Sequence, residues 1–126
     1  MGREGTSLEE VRAALHEVGM WDEIAKFPDG LETRLMTDGR NLSVGQAQRI
    51  AIARAILGRP RCLLLDQALD DLDPESRAIV TARLLRTDAP WTAIVATHDP
   101  HVVAACTERF VVERGRVRTL FEGGSN

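Results

Sequence analysis

The sequence predicts an α/β fold in which helices alternate with the short strands of a parallel sheet. Residues 62–65 form a continuous apolar run of the kind that a buried central strand requires, and residues 91–97 form a second buried strand. The alternation of predicted helices with apolar strands indicates the α/β fold class. Asp66 and His98 end the two runs, at the carboxyl ends of strands, where open α/β sheets gather their functional groups.

Length and composition fit one compact globular unit. The 126 residues, 44% hydrophobic and 28% charged, can bury a modest core, and no apolar run approaches the roughly 20 residues of a membrane span. A net charge of -3 lacks the basic excess of nucleic-acid-binding modules. No apolar stretch follows the N-terminus as in a secretory signal, so we expect a cytoplasmic location. Cys62 and Cys106 lack metal-ligand spacing, and we expect both to be small buried hydrophobic residues.

Two helices are predicted in the first 26 residues. Ser7 and Glu10 fit a capping box, and apolar residues recur at helical spacing over residues 8–18. Gly19 is expected to end this helix, and a shorter helical turn is predicted over residues 21–25. Prolines and glycines then predict a long irregular connection up to Asn41.

A third helix begins at a second capping box. Ser43 and Gln46 have the required spacing, and residues 50–57 are apolar nearly all round the predicted helix. We therefore expect this helix to be largely buried. Gly58 and Pro60 end it before the first strand.

Dipeptides with strong turn or cap preferences mark the remaining elements. An aspartate followed by a proline supplies an N-cap and a first-turn proline, and an arginine-glycine pair between apolar runs suits a hairpin turn. The predicted elements are a helix from Asp73 to about Arg86, a helix from Asp99 through Ala105, and a hairpin of residues 110–112 and 117–121 around Arg114 and Gly115.

Four short motifs follow one another in register, and together they resemble the ATP-binding domain of ABC transporters. Leu42-Ser43-Val44-Gly45-Gln46 resembles the family signature, LSGGQ. Residues 62–67 resemble Walker B, Asp70-Asp71-Leu72-Asp73 resembles the D-loop, and His98 resembles the switch histidine. Residues 27–33 are similar to the segment that precedes the signature in exporter-type members.

The resemblance implies a P-loop NTPase-type α/β domain that includes part of a helical subdomain and a C-terminal hairpin. Residues 1–58 would form the helical subdomain segment with the signature helix, and residues 59–126 the C-terminal part of the RecA-like core. The sequence contains no Gly-x-x-x-x-Gly-Lys-Ser/Thr, and Lys26 is its only lysine. We therefore expect an incomplete domain that begins inside the cassette and binds ATP weakly or not at all on its own.

The signature is the predicted phosphate site. A serine at a helix start followed by a glycine lets backbone N–H groups approach an anion, and the helix dipole adds roughly half a positive charge. Taken alone, Ser43 and Gln46 fit a plain capping box better. In the family the signature caps ATP held by the opposite subunit, which implies that residues 42–46 bind ATP in trans. Val44 replaces the family's first glycine, whereas Ser43 and Gly45 keep the positions that face phosphate.

Asp66 and Gln67 are the predicted metal-binding and catalytic positions. A carboxylate at a strand end can hold Mg²⁺ beside the phosphates of a nucleotide, although an aspartate there can also be a simple turn or cap residue. The family usually has a glutamate next, which polarises the attacking water. Gln67 can orient water but cannot accept its proton. It indicates a slow or degenerate site, or a Glu-to-Gln exchange made to trap ATP.

His98 and the D-loop complete the predicted site. His98 matches the histidine that contacts the γ-phosphate in the family and relays its presence to the partner subunit. His16 and His101 are expected on helix surfaces instead. Asp70 and Asp71 replace the usual serine and alanine of the D-loop, and their negative charge near a phosphate weighs against ordinary D-loop coupling.

The predicted function is that of a cassette fragment that couples ATP binding and hydrolysis to transmembrane transport, with ATP and Mg²⁺ as cofactors once a phosphate-binding loop is supplied. The expected partners are a second nucleotide-binding domain and a transmembrane domain, at the cytoplasmic face of the cell membrane, without nucleic acid.

One alternative is a catalytically inactive cassette that acts as an interaction or regulatory module, which Gln67 favours. A DNA-repair ATPase of the SMC type would show heptad coiled coils beside the signature, and none occurs. Whether the chain is itself an ATPase stays open.

Overall fold

The computed structural model describes residues 6–26 and 42–120, and within them helices alternate with strands as the sequence predicts. The predicted irregular connection, the exporter-like segment over residues 27–33 and the end of the predicted hairpin at residue 121 lie outside the described residues. The elements are α1 (Leu8–Glu17), α2 (Trp21–Ala25), α3 (Val44–Leu57), β1 (Cys62–Asp66), α4 (Pro74–Leu84), β2 (Thr92–Ala96), α5 (Pro100–Ala104), β3 (Phe110–Glu113) and β4 (Arg116–Thr119).

The helices begin at the predicted caps. Ser7 Oγ accepts a hydrogen bond from Glu10 N at 3.1 Å at the start of α1. Asp73 accepts one from Ser76 N at 3.1 Å at the start of α4, and Asp99 caps α5. Gly19 follows α1 with a φ of 70°, a left-handed conformation that favours glycine, and it ends the helix as predicted.

The two apolar runs form neighbouring parallel strands. β1 pairs with β2 in a register that sets Leu64 opposite Ile94. Leu63 and Leu65 point into the core, but 71% of Leu64 and 59% of Ile94 are exposed on the other face. The prediction of two buried strands is therefore wrong for this face, because the described helices pack on only one side of the pair.

The same exposed face accounts for the error at Cys62. Its side chain alternates with that of Leu63 along β1, so it lies on the side with Leu64 and is exposed, not buried as predicted. Cys106 is half-buried at the end of α5, where burial raises the pKa of its thiol although Arg109 lowers it. Both thiols are free.

A single hydrophobic core joins the elements on either side of the predicted boundary at residue 58. Its side chains come from α1, α2, α3, β1, α4 and α5, and its fully buried members include Val18, Met20, Leu69, Val80, Leu84 and Val102. α3 contributes one face only: its apolar residues Ile50, Ile52, Ala53 and Leu57 are buried, whereas Ala51 and Ala55 are exposed. The expectation that α3 is largely buried is thus correct for half of its circumference. The division into residues 1–58 and 59–126 stays a prediction.

A short hairpin closes the described chain. β3 and β4 pair antiparallel, with Glu113 opposite Arg116. Arg114 and Gly115 connect them with φ values of 52° and 72°, the pair of left-handed residues that a type I′ turn requires. The predicted hairpin is confirmed. None of the helices in the described residues is long and apolar enough to cross a membrane.

Candidate functional site

The start of α3 is an exposed helix end closed by a reciprocal capping box. Ser43 Oγ accepts from Gln46 N at 3.1 Å, and Gln46 Oε1 accepts from Ser43 N at 3.0 Å. Ser43 is exposed, as is 72% of Val44. The first turn of α3 therefore presents its N-terminal end to solvent, where the helix dipole favours an anion.

Gly45 places this helix start against the D-loop of the same chain. A Cβ added at Gly45 would meet Leu72 Cδ2 at 3.7 Å and Asp71 O at 4.0 Å, which is ordinary van der Waals contact. The predicted signature and the predicted D-loop are thus neighbours in the fold.

Glu23 of α2 binds two side chains of α3, one of them in the signature, and no motif in the sequence indicates this role. Its carboxylate accepts from Gln46 Nε2 at 3.0 Å and from Arg49 Nη1 at 2.6 Å. Arg49 is only 6% exposed, and it also donates to Gly19 O at 3.3 Å. Burial acts to raise the pKa of Glu23, but the hydrogen bonds from Arg49 and Gln46 and the charges of Arg49 and Lys26 hold it below its usual range.

One signal in the sequence could have led to Glu23. Arg49 lies in the otherwise apolar face of α3, and a buried guanidinium must have an acceptor. Nothing in the sequence says which carboxylate supplies it, because the two residues are 26 positions apart and meet only in the folded chain.

The carboxyl ends of β1 and β2 bring together the predicted catalytic residues. Gln67 N donates to Ala96 O at 2.7 Å, and Gln67 Nε2 lies 3.2 Å from His98 Nε2. Gln67 has a φ of 56°, a left-handed conformation that is uncommon outside glycine and that tends to occur at functional sites. Both side chains are exposed, so they are accessible to a ligand at this edge of the sheet.

Asp70 joins this edge to the D-loop. Its Oδ1 accepts from Thr97 Oγ1 at 2.5 Å and its Oδ2 accepts from His98 N at 3.0 Å. From the sequence, Asp70 was expected only to add negative charge near a phosphate. The structure shows that its carboxylate binds the segment after β2. Asp71, its neighbour, is exposed.

Arg77 is a second residue that the sequence analysis missed. Its guanidinium donates to Leu69 O at 3.2 Å and to Leu72 O at 2.6 Å, on either side of Asp70, and it forms an ion pair with Asp99. Burial acts to raise the pKa of Asp99, but the hydrogen bond and charge of Arg77, together with the N–H groups at the start of α5, hold it below its usual range.

Asp73, the last D-loop residue, has a structural role as the N-cap of α4. The hydrogen bond that it accepts from Ser76 lowers the pKa of its carboxyl group.

Asp66 presents one carboxylate at the end of β1. It is exposed, and within residues 6–26 and 42–120 no three His, Cys, Asp or Glu side chains are grouped as a metal-binding cluster. Mg²⁺ commonly binds through one or two carboxylates, with waters and substrate phosphates completing its octahedron. A single exposed aspartate fits that mode.

Comparisons with known proteins identify the family of this chain. Residues 3–70, more than half of the chain, match the family model described as ABC transporter. ABC transporter B family member 21 of Arabidopsis thaliana is 40% identical over 116 residues, which are 92% of this chain and 9% of that protein. The ATP-dependent lipid A-core flippase of Thiobacillus denitrificans is 41% identical over 111 residues, 88% of this chain and 19% of that protein.

A solved structure gives the same result. The structure of a bacterial Atm1-family ABC exporter with ATP bound matches with a TM-score of 0.84 and 33% sequence identity, covering 93% of this chain and 21% of that one. The chain therefore belongs to the ABC transporter family, and its fold is that of an exporter-like ATP-binding cassette segment. It spans between 9% and 21% of the length of these three proteins.

Proposed function

We propose that this chain forms the signature-bearing part of an ATP-binding cassette that couples ATP binding and hydrolysis to transport across a membrane. The observation that carries the proposal is the open N-terminal end of α3, capped by Ser43 and presented to solvent. The exposed pair of Gln67 and His98 at the strand ends supports it from a second element.

The signature, Leu42 through Gln46, is proposed to bind the γ-phosphate of ATP held by a second nucleotide-binding domain. Ser43 Oγ and the first N–H groups of α3 would donate to phosphate oxygens, and the helix dipole would favour the negative charge. Gly45 lies on the side of this turn that faces Leu72 and Asp71 of the D-loop. Val44 points away from the core, so its replacement of the family's first glycine adds bulk at the exposed rim.

The strand edge is proposed as the hydrolytic side of the cassette. ATP would supply the phosphoryl group there, with Mg²⁺ to neutralise its charge. Asp66 would hold the metal, Gln67 would orient the attacking water, and His98 would donate to a phosphate oxygen. Since an amide cannot take the proton from water, we expect hydrolysis to be roughly 10²- to 10⁴-fold slower than with a carboxylate at this position.

The partners and the place of action follow from this proposal. A second nucleotide-binding domain would supply the phosphate-binding loop opposite the signature, and a transmembrane domain would anchor the assembly at the cytoplasmic face of the membrane. The net charge of -3 supports a partner other than nucleic acid.

Complementation tests the proposed role of the signature. A complete cassette domain from an exporter, inactivated by an arginine at its own signature serine, is mixed with this chain, and ATP hydrolysis is measured. We expect the chain to restore hydrolysis and Ser43→Arg to abolish the effect. Ser7→Arg is the matched control, because Ser7 is also an exposed N-cap, on α1. Equal rates with the wild-type chain and Ser43→Arg would rule out the proposal.

A second candidate function is a regulatory module that binds a transporter without hydrolysis, which the amide at Gln67 favours. The same mixture separates the two. A chain that binds the second cassette tightly, yet restores no hydrolysis, fits the regulatory module only.

A further inference from the structure

We propose that Asp70 is a positioning residue for His98, and that it makes the loop after β1 and the segment after β2 a single hydrogen-bonded unit. The significance of His98 rests on the proposed function, but the unit itself is independent of any nucleotide. Asp70 is well placed for this role because its two oxygens accept from two consecutive residues, Thr97 and His98.

Thr97 extends the contact along the chain. Its hydroxyl donates to Asp70 Oδ1 and accepts from Asp99 N at 3.0 Å. One carboxylate therefore fixes the backbone direction through His98, which in turn sets the ring beside Gln67. A serine, the usual family residue here, has a single oxygen and could not accept from both donors with the same geometry.

Arg77 closes the unit from the opposite side. It donates to the carbonyls of Leu69 and Leu72, which flank Asp70, while it pairs with Asp99. Residues 97–99 are thus held by two contacts: Asp70 binds Thr97 and His98, and Arg77 binds Asp99. Charge-assisted hydrogen bonds of this kind are stronger than neutral ones, so the two loops should move together.

The unit also reaches the signature. Leu72, which Arg77 holds through its carbonyl, lies next to Gly45 at the start of α3. A displacement of His98 by an anionic ligand would therefore be transmitted through Asp70 and Leu72 to Gly45, in the signature of the same chain. The negative charge at position 70 serves this connection, whereas the Asp71 and Asp73 side chains are exposed.

NMR spectroscopy of the 126-residue chain without nucleotide tests the proposal. Two signals are followed: hydrogen exchange of the His98 amide and the nuclear Overhauser effect between the Gln67 side-chain amide and the His98 ring. In Asp70→Ala we expect exchange at His98 to accelerate roughly 10- to 100-fold, as for the loss of a hydrogen bond to a charged group, and the Overhauser effect to disappear. Asp71→Ala is the matched control and should change neither signal.

A purely structural role for Asp70 would lower stability but leave the Gln67–His98 contact intact in the folded molecules. Protection of the amides in β1 and β2 reports whether the variant is folded. If Asp70→Ala does not fold, Asp70→Asn decides, since it keeps the volume and loses one acceptor; the same two changes are then expected at smaller size. An unchanged Overhauser effect in either folded variant would overturn the proposal, whatever the outcome of the complementation with a second cassette.

Discussion

Glu23 and Arg49 form an ion pair with Nη1 and Oε2 2.6 Å apart, and it joins the short helix α2 to the helix that carries the signature. The arginine side chain is 7% exposed and the glutamate side chain 34%. The same carboxylate binds Gln46, so one residue of α2 sets the side-chain orientation of a signature residue. Breaking such a pair leaves a buried guanidinium without its charged partner, which costs more than the pair itself contributes.

Glu23→Gln should therefore destabilise the chain. The amide replaces one of the two acceptor oxygens with an NH2 group, which would face one of the two donors, and Arg49 loses its counter-charge. We expect a loss of about 1–3 kcal/mol in the free energy of unfolding, measured by urea denaturation. Asp22→Asn, on the exposed side of the same helix, is the control and should change stability by less than about 0.5 kcal/mol. Equal effects of the two variants would contradict the assigned role of Glu23.

Acid should weaken the same contact. The folded state holds the pKa of Glu23 below 4.5, its ordinary value, so the carboxylate contributes stability above that value and the contribution is lost as the pH falls through the folded pKa. Stability curves of the wild-type chain and Glu23→Gln, recorded from about pH 6 to pH 3, should converge towards the acid end. A constant difference across this range would show that the ionised form of Glu23 makes no special contribution.

The two serine caps should contribute differently to function but similarly to stability. Ser43→Ala and Ser7→Ala each remove a hydrogen bond to the third residue of a helix, and each should cost about 1 kcal/mol in thermal or chemical denaturation. Only Ser43→Ala should reduce hydrolysis in the complementation assay. If Ser7→Ala reduced it to the same degree, the loss of activity would reflect stability alone.

Gln67→Glu should restore a proton acceptor at the strand edge. When this segment is joined to a phosphate-binding loop on its own chain and paired with a cassette whose signature is intact, we expect the rate of hydrolysis to rise roughly 10²- to 10⁴-fold, with little change in the concentration of ATP at half-maximal rate. The matched control is Gln48→Glu, which introduces the same charge on α3, away from the strand ends. A rate that does not rise with Gln67→Glu would show that this position does not limit hydrolysis.

The local parts of the fold could be predicted from the sequence because short-range chemistry determines them. Capping residues such as Ser43 and Asp73 identified helix starts to within a residue, and the Arg114-Gly115 turn identified the hairpin. The side of a strand that is covered depends on which other elements pack against it, which no local pattern records. That is why Cys62 and Leu64 were expected in the core and are exposed.

The predicted site shows the same division. The sequence placed Asp66 and His98 at the carboxyl ends of two strands, and the structure has Gln67, the residue after Asp66, in contact with His98. The supporting residues Glu23 and Arg77 lie in helices with no motif of their own, and their roles depend on side chains that meet only in the folded chain. Asp70 was identified, but its partners were not, because the sequence gives its charge and not the direction of its oxygens.

The backbone at Gln67 also limits which residues can ever occupy this position. With φ at 56°, a side chain branched at Cβ would clash with its own backbone, whereas glycine, asparagine and aspartate tolerate the conformation best. Changes between glutamine and glutamate keep a strain that the bond from Gln67 N to Ala96 O helps to hold. The backbone conformation therefore restricts which side chains, and so which chemical groups, can stand at the end of this strand.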